Sequence, residues 1–94
     1  MRTLKELYGL LIERTEVSKR RGICGHIISL TFDDTITSKE FEILEKHFDS
    51  IPRPTAESHP QFAEHLTPYS VYYFTTGLKE PRIAFLKEIQ NSLP

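Results

Sequence analysis

Gly22-Ile23-Cys24-Gly25-His26-Ile27-Ile28-Ser29-Leu30-Thr31-Phe32 admits two conformations, and the choice between them decides whether the chain is all-helical or mixed. As a strand, the run from Ile27 to Phe32 has the β-branched and aromatic content that pleated surfaces favour, and short apolar runs are not separated by periodicity alone. As a helix, Ile23, Ile27 and Leu30 form one edge while Cys24, Ile28 and Phe32 form the edge beside it, a broad apolar face. The helix is the reading taken, and a face of that width predicts burial at the centre of the molecule.

On the N-terminal side, Leu4, Leu7, Tyr8 and Leu11 recur at helical spacing from Arg2 to about Ser18. Leu10 and Ile12 widen that stripe, and Glu6, Glu13, Arg14 and Glu16 fall outside it, so the segment predicts an amphipathic helix. On the C-terminal side, Asp33-Asp34-Thr35 predicts a polar turn. Thr37 and Glu40 then have the spacing at which each side chain satisfies a free backbone N–H of the other. The third helix begins there and turns Phe41, Leu44, Phe48 and Ile51 inward; Pro52-Arg53-Pro54 stops it, since proline has no N–H to give. Residues 52–61 read as loop, Pro60 to Leu66 as a short helical turn opened by proline, and Pro81 to Leu93 as a closing helix with Ile83, Phe85, Leu86 and Ile89. Between them, Tyr69 to Thr75 is rich in tyrosine and β-branched residues and predicts an extended aromatic segment. The expected fold is therefore mainly α: about four short helices in a single compact domain spanning 1–94, with one extended segment near residues 69–75.

Composition limits the function. The 94 residues supply one core, because domains cluster near ~100–150 residues. A hydrophobic content of 38% with 27% charged residues suits a water-soluble globule. The net charge of −1 argues against general nucleic-acid coating, whose affinity comes from neutralised phosphates. A single cysteine, Cys24, makes no internal disulfide and points to a reducing compartment. Glu6 interrupts the apolar run a signal peptide needs, and no apolar stretch reaches ~18 residues, so neither secretion nor membrane association is expected. No cofactor is called for.

Charge is nevertheless uneven. Residues 1–32 carry six Lys or Arg against three Glu, and residues 33–50 carry two against six acidic groups. Lys19-Arg20-Arg21-Gly22 is the densest basic feature and directly precedes the second helix, whose free N–H groups hold the positive end of the macrodipole. Glycine lets backbone approach an anion and arginine grips it bidentately, so phosphate binding competes with a plain solvated turn. Tyr72 and Tyr73 would add stacking area. The expected ligand-binding set is thus Lys19, Arg20, Arg21, Gly22, Tyr72 and Tyr73.

Other chemistry-bearing residues read as structural. Cys24 sits among basic residues, yet His26 is two positions away and points to another side, so the cysteine reads as core. His26 and His47 read as bordering packed helices and His59 and His65 as loop residues, without metal-ligand spacing. Asp33, Asp34, Glu40 and Glu45 read as capping and surface groups. A helix-turn-helix reader built from the second and third helices would set Glu40, Glu42, Glu45 and Asp49 against phosphates.

Four stretches, taken together, resemble a known group. Tyr8…Leu11-x-Glu13-Arg14-Thr15, Gly22-Ile23-Cys24, Ile36-Thr37-Ser38-x-Glu40-Phe41-x-x-Leu44 and Pro81-Arg82-Ile83-x-Phe85-Leu86 are similar to small proteins of tailed bacteriophages. The resemblance covers most of the chain and brings no catalytic signature. It implies an early phage product that binds and disables a host factor, immune factors included, in the host bacterial cytoplasm. Expected partners are a host protein or a phosphorylated nucleotide signal held between copies of a homo-oligomer. A small enzyme using Cys24 or the acidic residues is the alternative, as is a nucleic-acid-binding helical domain.

Overall fold

A computed structural model describes residues 1–19, 22–66 and 79–94. The described residues form four α-helices, α1 (Leu4–Val17), α2 (Ile23–Phe32), α3 (Ser38–Ser50) and α4 (Lys79–Ser92), with a 3-10 helix over Pro60–His65 between α3 and α4, and no strand occurs among them. The helical reading of residues 23–32 holds. The segment expected to be extended, residues 69–75, lies outside the described residues.

Local chemistry starts α1 and α3. Thr37 Oγ1 accepts the Glu40 N–H at 3.1 Å while Glu40 Oε1 accepts the Thr37 N–H at 2.9 Å, so two otherwise orphaned donors are satisfied. Thr3 and Glu6 form the same reciprocal pair at the start of α1, at 3.2 and 3.0 Å. The Asp33-Asp34-Thr35 turn is present: Asp33 Oδ1 accepts the Thr35 N–H at 3.2 Å, and Asp34 takes φ 61°, a left-handed conformation aspartate tolerates better than most residues. At the other end of α3, the Arg53 guanidinium donates to the carbonyls of Phe48 and Ile51, both at 3.1 Å, closing the helix where Pro52 prevents its continuation.

The core lies between α1 and its three partners. Leu7, Tyr8, Leu11 and Ile12 of α1 meet Ile23, Ile27 and Leu30 of α2, Leu44 and Phe48 of α3, and Phe85, Leu86 and Ile89 of α4. The most extensive pairing is α1 with α4. There Gly9 faces α4: a Cβ at that position would stand 3.4 Å from Gln90 Nε2, an ordinary contact with the end of a side chain that donates to the Lys5 carbonyl at 3.1 Å. Phe48 meets Phe85 edge-on at 6.4 Å, a favoured aromatic geometry. Glu40, only 2% exposed, also accepts the Arg2 N–H at 3.0 Å and its guanidinium at 3.1 Å, tying the start of α1 to the start of α3.

Two expectations about α2 are corrected. Only one edge of its apolar face is covered: Ile23, His26, Ile27 and Leu30 are buried, but Ile28 is 48% and Phe32 88% exposed. Cys24, expected in the core, is exposed as well. The physical reason is that α2 packs on α1 and α3 through its Ile23–Ile27–Leu30 edge, and among the described residues no helix packs over the neighbouring edge.

Candidate contact surface on α2

Of the six residues expected to bind a ligand, Lys19 and Gly22 are described, while Arg20, Arg21, Tyr72 and Tyr73 lie outside the described residues. Lys19 is exposed and makes no ion pair among the described residues. Gly22 is the N-cap of α2 at φ −91° and ψ 128°, with no side chain to cap the helix. Among the described residues, the first N–H groups of α2 therefore have no side-chain cap, the arrangement an anion would exploit.

A groove of about 610 Å³ lies beside this helix, lined by Arg14 and Ser18 of α1 and its end and by Gly25, Ile28, Ser29 and Phe32 of α2. Its floor is already spoken for. Arg14 donates to Ser29 Oγ at 2.8 Å, to Asp33 Oδ2 at 2.7 Å and to Thr35 Oγ1 at 3.3 Å, so one guanidinium clamps the C-terminal end of α2 onto α1. Thr35, with Arg14 assisting, holds the Asp33 carboxyl below its usual range. An incoming anion would have to displace Asp33 to reach Arg14. The walls, by contrast, are open and apolar, with Phe32 almost wholly in solvent.

Chemistry at α2 is unfavourable for a nucleophile. Partial desolvation pushes the Cys24 thiol above its ordinary pKa, so the thiolate that would attack is scarce near neutral pH. His26 is buried on the inner side of the helix while Cys24 is on the outer one, so the pair is not juxtaposed.

A second arrangement has the order of a nucleophile, base and acid. Ser58 Oγ lies 2.8 Å from His59 Nδ1, and His59 Nε2 lies 2.9 Å from Glu88 Oε1. Two features make it structural. Ser58 Oγ also accepts the Thr55 N–H at 2.9 Å while Thr55 Oγ1 accepts the Ser58 N–H at 3.1 Å, so the hydroxyl is part of a closed turn. The imidazole stacks on Phe62 at 5.3 Å and meets Phe85 edge-on at 5.8 Å, pinning the loop to α4. Among the described residues, no three of His, Cys, Asp and Glu cluster as metal ligands, and no helix is long and apolar enough to cross a membrane.

Sequence reasoning missed Arg14, which carries the groove floor, and Arg82, an arginine only 2% exposed on α4. Each falls at an ordinary position in its helix, and the partner of Arg14 lies 19 residues away, beyond any local pattern. Compared with protein-family models, curated proteins and solved structures, the chain matches none of them.

Proposed function

We propose that this is a non-enzymatic binding protein of bacteriophage type that disables a host factor, an immune factor included, by occupying it in the host bacterial cytoplasm. The target is a protein, and the contact surface is the outer face of α2 with the groove beside it. One observation carries this choice over a phosphorylated nucleotide: Phe32 is 88% exposed next to a half-exposed Ile28, on a helix without a charged residue. Contiguous exposed apolar side chains mark contact surfaces, and aromatic residues are enriched at the centre of protein interfaces. The nucleotide reading has less behind it, because the guanidinium lining the groove is already neutralised by Asp33.

A photoreactive phenylalanine analogue at position 32 tests the reading in producing bacteria, with the same analogue at the exposed position 42 on α3 as control. A discrete adduct with one host protein, formed from position 32 and not from 42, is the expected result. Equal adducts from both positions, or none beyond the chain's own, would overturn it.

A further inference from the structure

Gly25 and Phe32 lie about two turns apart on one line of α2, a hollow and a knob on the same face. A Cβ built on Gly25 meets nothing within 4 Å, so the space above it is open. Phe32 projects 88% into solvent at the opposite end of the same groove, with Ile28 between them. A surface carrying both elements is complementary to itself when turned end over end. We infer that a second copy of this chain covers α2 in the free protein, in an antiparallel contact about a two-fold axis near Ile28 and Ser29.

The register follows from the positions. An axis midway between residues 28 and 29 carries Phe32 of each copy onto Gly25 of the other, and sets the two Ile28 side chains beside one another at the centre. A two-fold contact repeats each such interaction, and knob-into-hollow packing is how helices interdigitate. Charge selects the antiparallel direction. α2 itself has no charged residue; exposed Lys19 precedes it and exposed Asp34 follows it. Antiparallel pairing brings Lys19 of one copy toward Asp34 of the other and opposes the helix dipoles, whereas parallel pairing would set like charges together. One face of a helix ~15 Å long buries less than the ~800 Å² per partner of a standard interface. Dissociation is therefore expected on the order of 10 μM or weaker, so the face is released on dilution to meet another partner.

This inference goes beyond the proposed function and does not depend on it. Sedimentation equilibrium of the full chain from about 1 μM to 1 mM should show a monomer–dimer equilibrium. Phe32→Asp should weaken it at least ten-fold with an unchanged circular dichroism spectrum. Gly25→Leu is the sharper variant: the isolated helix gains from losing glycine, so melting temperature at low concentration should rise, while filling the hollow should weaken dimerisation at least ten-fold. A strict monomer at 1 mM, an unaffected Phe32→Asp, or a Gly25→Leu variant that associates as tightly as the parent or more tightly would each overturn the inference. Host adducts from position 32 that persist in a strict monomer would sink the dimer alone. A dimer with no host adduct would sink the proposed function alone.

Discussion

Arg2 and Glu40 are joined twice across 38 residues: the Arg2 backbone N–H and its guanidinium both donate to one carboxylate that also closes the first turn of α3. Backbone N–H donors from Thr37 and Arg2 favour the ionised form and bring the Glu40 pKa down to about 2, from 4.5 in an unstructured chain.

That depression fixes the direction of the acid response. The folded pKa is below the unfolded one, so the stabilisation is complete above about pH 4.5 and is lost as pH falls toward 2. Thermal melts at pH 7, 4 and 2.5 should show a progressive loss. Glu40→Gln should flatten much of that dependence, the remainder coming from Glu6 and Asp33, which are lowered in the same sense. An undiminished acid slope in the variant would show that the linkage lies elsewhere.

Tyr8 is fully buried, and its hydroxyl is 2.8 Å from His47 Nδ1, with the ring centroids 5.5 Å apart. Burial pushes the phenol well above its ordinary pKa, so it stays neutral throughout the working range. Tyr8→Phe keeps the packing and removes one hydrogen bond, and should cost about 1 kcal/mol in urea titration. The half-exposed His47 turns to water, so a loss several times larger would contradict this account.

Phe32 and Phe48 are the same residue in opposite settings, 88% and 0% exposed. Phe48→Ala should cost ~3–5 kcal/mol, since it empties space against Phe85 and removes the ring beneath Arg53, whose guanidinium lies 4.2 Å away. Phe32→Ala, at low concentration where copies are separate, should stay within about 0.5 kcal/mol of the parent. Paired denaturant titrations decide it, and similar losses in both would mean that α2 is covered from outside.

Arg14 holds three acceptors at the junction of α1 and α2. Arg14→Met preserves the aliphatic stem and removes the charge, leaving Asp33 without its cation. The loss should be small, and most of it should be absent when Asp33→Asn is added, because that background has no carboxylate to be left without its cation. A fully additive double variant would rule out the coupling.

The legible parts of this fold were those decided within a few residues. Thr37 and Glu40 announced the start of α3, Pro52 its end, and the alternation of apolar and charged residues the two longer helices. The Thr3–Glu6 pair has the same spacing but was merged into a helix read from Arg2, because the stripe alone does not say where a helix begins. What α2 lacked was any local mark of which apolar edge meets a neighbour. Both edges read as core; tertiary contact buried Ile23, Ile27 and Leu30 and left Cys24, Ile28 and Phe32 outside. The groove was hidden for a related reason, since Arg14 finds Asp33 only after the chain has turned back on itself. The basic turn was read from charge density, and density does not reveal which cations stay unpaired.

Gly22 opens α2 with no side chain to receive the amides that follow, whereas Thr3 and Thr37 receive theirs. Hydrogen–deuterium exchange should therefore run unevenly among the helices: the leading amides of α2 take up deuterium first, and those of Glu6 and Glu40 lag behind. The helix with the barest outer face is thus also one whose first turn should loosen more readily than those of α1 and α3, which leaves its entry angle the freer of the three to vary.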